Sequence, residues 1–242
     1  MKFKILAILV LAIVSSAVPT LAGGLLPPEI SPAIVQNCTW CHGTSAQGFA
    51  NAPRLAGQRA PYIWNQLVSF VEHRRDNPLS RQYMWSAVAA LTPYEARDLA
   101  IYFSTLPAEP ANDGRRGLVA IGRVLYLEGS PETNLASCAA CHGPNAEGVR
   151  EIPRLGGLSY AYLKRRLQEW AEGYDATAAP PMPGIARKLY PEEIEAISSY
   201  LSFVPSFPFV AYECAPTTPI GKAPYQIGCR NPGLAFVERP VK

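Results

Sequence analysis

Apolar residues in this chain recur mostly at helical spacing. Residues 61–74 open on Pro61, suited to a first helical position, and place Tyr62, Leu67, Phe70 and Val71 along one stripe. Thr92, Pro93 and Glu95 form a capping-box signature, and Ala96, Leu99, Ala100 and Phe103 share one face of the helix that follows, until Pro107 closes it. A further helix is predicted over 118–127. Pro191, Glu192 and Glu193 load another first turn with negative charge that suits the helix dipole, and Ile194, Ile197 and Leu201 make its stripe. Two stretches depart from this pattern. Ile5 to Val14 is a continuous apolar run, and residues 205–242 are dense in proline and aromatics, which excludes regular helix there. The pattern predicts an all-α protein with an irregular C-terminal extension.

The helical pattern occurs twice. At an offset of 100, Gly48 matches Gly148, Pro53-Arg54-Leu55 matches Pro153-Arg154-Leu155, Gly57 matches Gly157 and Tyr62 matches Tyr162. Two residues are then lost, and at an offset of 98 Met84 matches Met182, Leu91 matches Leu189, Pro93 matches Pro191 and Tyr102 matches Tyr200. Such self-similarity over a whole domain is the mark of duplication.

The N-terminal run fits an export signal: Lys2 and Lys4, the apolar core, then a small-residue exit at Thr20-Leu21-Ala22, with cleavage expected after Ala22. Retention as an anchor is the competing reading, since residues 5–26 are 22 uncharged positions, long enough to span a bilayer. The expected organisation is a signal over 1–22, a first domain over 23–107, a linker over 108–117, a second domain over 118–204 and a tail over 205–242. Domains of this size are short of core unless something large and apolar fills them.

The chemistry sits in two copies of one motif. Cys38-Thr39-Trp40-Cys41-His42 and Cys138-Ala139-Ala140-Cys141-His142 are each Cys-x-x-Cys-His, the attachment signature of a c-type haem. Two thioether bonds need thiols two residues apart on one helical turn, and His42 or His142 then lies beneath the ring as an axial iron ligand. A paired-cysteine motif also serves disulfides and zinc sites, but zinc would need further Cys or His ligands nearby, and neither copy has a second Cys pair. Two covalently bound haem c groups are expected. The formal charge of +3 falls to +1 without Lys2 and Lys4, and four haem propionates would bring it to about −3. The arginines are scattered among nearly equal numbers of acids, so no nucleic-acid partner is expected.

The second axial ligand decides what each iron can do, because two strong protein ligands favour electron transfer over small-molecule chemistry. Outside the leader the chain has two methionines, Met84 and Met182, at matched places in the repeat, and each is assigned to its own iron. A lone methionine is more often core filler, but two isolated ones in register are not. His73 has no counterpart in the second half and is read as a surface or propionate-side histidine. Arg54 and Arg154 suit bidentate pairing with haem propionates.

These residues together resemble class I cytochrome c domains, and the tandem over residues 33–204 is similar to the dihaem cytochrome c4 family. The resemblance implies two small helical domains related by a pseudo-twofold, with propionates turned toward the domain interface. It implies that the carbonyls of Pro53 and Pro153 accept the Nδ1 proton of the ligating imidazoles. It also implies an exported, periplasmic electron carrier, soluble or membrane-associated, with membrane association expected here only if the N-terminal segment is retained. Two features depart from the family pattern. The first domain's opening helix is shortened to Pro32–Asn37 before its haem motif, and the chain runs 38 residues beyond Val204. Cys214 and Cys229 lie in that tail and are expected to form a disulfide closing a 16-residue loop, worth about 3 kcal/mol. The competing reading has one of these thiolates on a haem iron, as in some thiosulfate-converting dihaem enzymes.

The leading functional expectation is a periplasmic dihaem carrier, without substrate chemistry of its own, moving one electron per haem from a respiratory or periplasmic donor to an oxidase or reductase. The alternative is a tightly bound electron-transfer subunit of a larger oxidoreductase, such as a sulfide or alcohol dehydrogenase, held through the tail. A dihaem peroxidase or thiosulfate dehydrogenase ranks third, because each iron already has a methionine.

Overall fold

The computed structural model describes residues 30–49 and 51–205 in full, and the backbone of 213–216 and 227–230. The leader over 1–22 lies outside the described residues. No helix of the described residues is long and apolar enough to cross a membrane.

The first domain contains α1 (Pro32–His42), α2 (Ala60–Val71), a π-helical turn (Ser80–Met84) that runs into α3 (Trp85–Val88), and α4 (Pro93–Thr105). The second contains α5 (Val119–Glu128), α6 (Ala139–His142), α7 (Tyr160–Ala171), α8 (Pro181–Ala186) and α9 (Pro191–Phe203). The predicted capping box forms, and α9 opens on a similar bond. Thr92 Oγ1 accepts the Glu95 N–H at 3.3 Å while Glu95 accepts the Thr92 N–H at 2.8 Å, and Glu193 accepts the Tyr190 N–H at 2.8 Å. Each satisfies backbone donors that a helix start leaves without an intrahelical partner.

In the first domain α2 packs on α4, burying Ile63, Leu67 and Phe70 against Leu99 and Phe103. In the second, α7 packs on α8 and α9, and α5 crosses α9, burying Tyr126, Leu163, Ile197 and Leu201. Among the described residues the first domain has no counterpart of α5. Its α1 instead runs straight through the haem motif, with Ser31 as N-cap and Pro32 in the first turn.

The stretch expected to be a linker is strapped to both domains. Pro107 and Glu109 carbonyls accept bonds from Gln47 and Arg54, while the Ala111 and Asn112 N–H groups donate to the Gly157 and Ser202 carbonyls. The Gly114 N–H donates to Ser202 Oγ at 3.0 Å. The tail is not wholly irregular as expected. β1 (Glu213–Pro216) and β2 (Ile227–Arg230) pair antiparallel, two short extended stretches that satisfy each other's backbone groups.

Candidate haem sites and the domain interface

Both Cys-x-x-Cys-His motifs end a helix on a glycine with positive φ, Gly43 at 82° and Gly143 at 80°. The loops that follow are wired alike: the Gly48 N–H reaches the His42 carbonyl at 2.8 Å, and the Gly148 N–H reaches that of His142 at 2.8 Å. At Gly48 and Gly148 a Cβ would lie 2.8 Å from the Ala52 carbonyl oxygen and 2.4 Å from that of Ile152, so only glycine permits the turn. The turn brings the next proline back under the imidazole. His42 Nδ1 donates to the Pro53 carbonyl at 2.8 Å, and His142 Nδ1 to that of Pro153 at 2.9 Å.

Both rings are buried, and burial pushes their pKa below the ordinary histidine value against the opposing pull of the proline carbonyls, with Arg75 lowering His42 further. A neutral imidazole with its Nδ1 proton held by a carbonyl presents the Nε2 lone pair, the donor an iron needs. Cys38 and Cys138 are half-buried and Cys41 and Cys141 exposed. Burial raises the Cys38 and Cys138 thiols to about 11. No three His, Cys, Asp or Glu side chains converge on a metal cage among the described residues. The residues present therefore fit a covalently attached haem at each motif.

Met84 closes the π-helical turn, half-buried against the core that includes Cys38, Leu55 and Tyr102. Met182 is half-buried in the first turn of α8, between Pro181 and Pro183. His73 is exposed and stacks on Trp85, ring centroids 4.0 Å apart.

The two arginines proposed for propionates differ. Arg54 bonds Gln47 Oε1 at 2.8 Å and the Glu109 carbonyl at 3.0 Å. Arg154 is buried and reaches across to the first domain, donating to the carbonyls of Gly57 at 3.1 Å and Ala56 at 2.8 Å. Its burial, with Arg54 nearby, lowers its pKa to about 10. Arg154 is thus an interdomain tie, a role its sequence did not suggest.

The interface also holds residues that sequence reasoning passed over. Gln58 is buried, donating to the Arg154 carbonyl at 2.9 Å and accepting the Arg154 N–H at 2.8 Å. Arg166 pairs with Glu169 at 2.6 Å and with Asp175, all three buried. Asp76 Oδ1 accepts the Asp175 N–H at 2.8 Å, and Asp175 Oδ1 accepts the Asp76 N–H at 2.6 Å, the reciprocal exchange a twofold contact produces. Tyr62 and Tyr162, an exact repeat pair in the sequence, lie close together beside Arg75 and Arg166, and Arg75 Nη2 is 3.5 Å from the Tyr162 hydroxyl. Burial holds the Tyr62 phenol above its ordinary value, while at Tyr162 burial is outweighed by the two guanidiniums, which draw it down. The offset-100 match pointed to the tyrosines. Nothing local marks Asp76 and Asp175, which lie at an offset of 99 in polar loops where the repeat loses register.

The sequence model of the cytochrome c family matches residues 31–107 and 120–204. The chain is 38% identical to the thiosulfate dehydrogenase electron acceptor of Stutzerimonas stutzeri, over 69% of this chain and 78% of that protein. Its fold superposes on the cytochrome c4 of Acidithiobacillus ferrooxidans with a TM-score of 0.64 and 27% identity, covering 69% of this chain and 98% of that one. It also superposes on the thiosulfate dehydrogenase of Marichromatium purpuratum with a TM-score of 0.61 and 29% identity, covering 78% of this chain and 40% of that one.

Proposed function

Because the chain belongs to the cytochrome c family, as a dihaem electron-transfer protein of the cytochrome c4 kind with two covalently bound haem c groups, we propose that it is exported to the periplasm, accepts electrons from a sulfur-compound dehydrogenase of the thiosulfate-oxidising class and yields them to a terminal oxidase. The observation that carries this reading is the 38% identity to a thiosulfate dehydrogenase electron acceptor across both domains. The charged-then-apolar leader supports export.

Cys38, Cys41, Cys138 and Cys141 hold the two haems, and each haem when bound supplies one reversible electron. His42 and Met84 would hold the first iron, and His142 and Met182 the second. A histidine and thioether ligand set would give a raised reduction potential, which suits acceptance from a dehydrogenase. The Pro53 and Pro153 carbonyls hold the imidazoles in the ligating tautomer and make them better donors. Arg54 and Arg154 place two guanidiniums at the domain boundary, where they would favour the propionate carboxylates. The strapped linker and the interface network hold the two domains in one arrangement, so that electrons cross a fixed gap.

The partner meets the first domain. Residues 31–53 contain no Lys, Arg, Asp or Glu, and Trp40, between the two haem cysteines, and Phe49 are 85% and 76% exposed. The matching positions in the second domain are Ala140 and Val149, in a stretch carrying Glu132, Glu147, Arg150 and Glu151. An apolar, uncharged patch beside the haem attachment suits transient docking. The test is stopped-flow mixing of the ferric protein with purified thiosulfate dehydrogenase and thiosulfate. Reduction of both haems on a catalytic timescale is expected; a protein that dithionite reduces but the dehydrogenase does not would refute the assignment.

A second reading, a bound subunit of a larger oxidoreductase, draws support from the likeness to a chain 40% covered by this fold and from the β1–β2 ribbon in the tail. Cys214 and Cys229 are directly opposite each other in the register of that ribbon, and opposed antiparallel positions lie within the Cα range a disulfide can bridge. That register supports a disulfide.

A further inference from the structure

We propose that Asp175, a residue of the second domain, is a positioning residue for Met84 of the first. The inference rests on the reading of Met84 as an iron ligand. It starts from the segment Arg75–Asp76–Asn77. Asp175, 1% exposed, accepts the Asp76 and Asn77 N–H groups on one oxygen, at 2.6 and 3.0 Å, while its other oxygen pairs with Arg166 of its own domain. The segment so pinned holds both ends of the turn that carries Met84. At the start of that turn, Asn77 accepts the Ser80 hydroxyl and, through its carbonyl, the Arg81 N–H at 3.1 Å. Arg81 Nε donates to the Asp76 carbonyl at 2.6 Å. At the end of the turn, the Trp85 indole donates to the Arg75 carbonyl at 2.9 Å.

Trp85, the residue after Met84, is also gripped on its faces. His73 stacks on it with ring planes 14° apart, and the Arg81 guanidinium stands 5.7 Å from its ring. The Met84 turn packs on its own domain's core, but the hydrogen bonds that fix its two ends go to a segment capped by the other domain. A π-helical turn is a rare local geometry that occurs mostly as a single turn, often at functional sites. The second domain solves the same problem differently. There Gly173 and Pro183 stand where His73 and Trp85 stand in the first, and Met182 is stiffened by Pro180, Pro181 and Pro183. Asp76 returns the contact by accepting the Asp175 N–H, but Met182 has its own prolines to hold it, so the first domain's ligand depends more on the exchange.

The experiment is imidazole binding to the ferric holoprotein by stopped flow, in which the incoming ligand must wait for the methionine sulfur to leave. Wild type should give one phase per iron, and Met84→Ala assigns the first by abolishing its slow step. If Met84→Ala leaves both phases intact, the ligand assignment fails and not the coupling. Asp175→Ala and Trp85→Phe should each speed the first-domain phase roughly tenfold, the rate equivalent of one lost hydrogen bond, and leave the second-domain phase unchanged. Asp175→Asn keeps the oxygen that accepts both N–H groups but turns an amide donor toward Arg166, and should fall between wild type and Asp175→Ala. The proposal is overturned if Asp175→Ala leaves the first phase unaltered or speeds both phases alike, if Asp175→Asn is as fast as Asp175→Ala, or if Trp85→Phe has no effect.

Discussion

Gly122 lies in α5 where that helix crosses α9. A Cβ added there would sit 1.9 Å from the Ala196 carbonyl oxygen, 2.5 Å from its carbon and 2.8 Å from Tyr200 Cβ. The first two obstacles are backbone inside a helix and cannot swing aside. Restoring ordinary contact at roughly 3.5 Å therefore demands that α5 move off α9 by about 1.5 Å, enough to forfeit half or more of the dispersion attraction along the seam. Overpacking of this kind costs about 3 kcal/mol, and the gain in helix propensity from glycine to alanine returns about 1 kcal/mol. The net loss of about 2 kcal/mol should lower the second domain's Tm by about 10 °C, since about 1 kcal/mol moves a domain of this size by 4–8 °C. The shift reaches the haem site, because Tyr126 on α5 donates its hydroxyl to the Gly143 carbonyl at 2.6 Å, beside His142. Thermal melting of Gly122→Ala holoprotein, followed by Soret circular dichroism, reads both the stability and the ligation. Gly117→Ala is the control, because a Cβ there meets nothing within 4 Å. A Gly122→Ala melt within roughly 2 °C of wild type would refute the close-approach argument.

Met84→Ala and Met182→Ala should each open one iron, so the ferrous variants should bind one carbon monoxide per molecule where wild type binds none, and the affected potential should fall; an unchanged spectrum would mean the wrong ligand has been named. With four cysteines in thioethers and two in the tail disulfide, the unfolded, unreduced protein should present no reactive thiol, and Cys214→Ser should present one while keeping both haem spectra; two reactive thiols in wild type would dismiss the disulfide. Burial pulls the Asp175 carboxyl up, but Arg166 and Arg75 outweigh it and hold its folded pKa below the ordinary value. Its stabilisation of the interface is therefore fully present above about pH 4 and lost as pH falls through that lowered value, so an acid titration of stability should show a slope in that range that Asp175→Asn flattens. An Asp175→Asn curve parallel to wild type would contradict this.

Much of the haem site was legible because its determinants are covalent or local. Cys-x-x-Cys-His places thiols and imidazole on one turn whatever surrounds them, and the duplication displays each position twice, so Pro53 and Pro153, Met84 and Met182 stand out by register alone. The helices were equally readable, since Thr92 with Glu95 and Pro191 with Glu193 act within one turn of the chain. What tertiary structure alone decided is how the two halves meet. Arg154 was readable as a propionate candidate, but not as a tie to the first domain's Ala56 and Gly57 carbonyls. The expected linker is strapped down, and the tail contains a ribbon. Asp76 and Asp175 are unremarkable polar loop residues until the domains dock and each caps the other's backbone. A hydrogen bond between residues 99 positions apart leaves no periodicity to read, and neither does the absence of a Cβ at Gly122. Sequence determined the cofactor and its attachment because that chemistry is built within a few residues; only the fold could determine the interface, because its bonds join positions that local chain geometry never brings together.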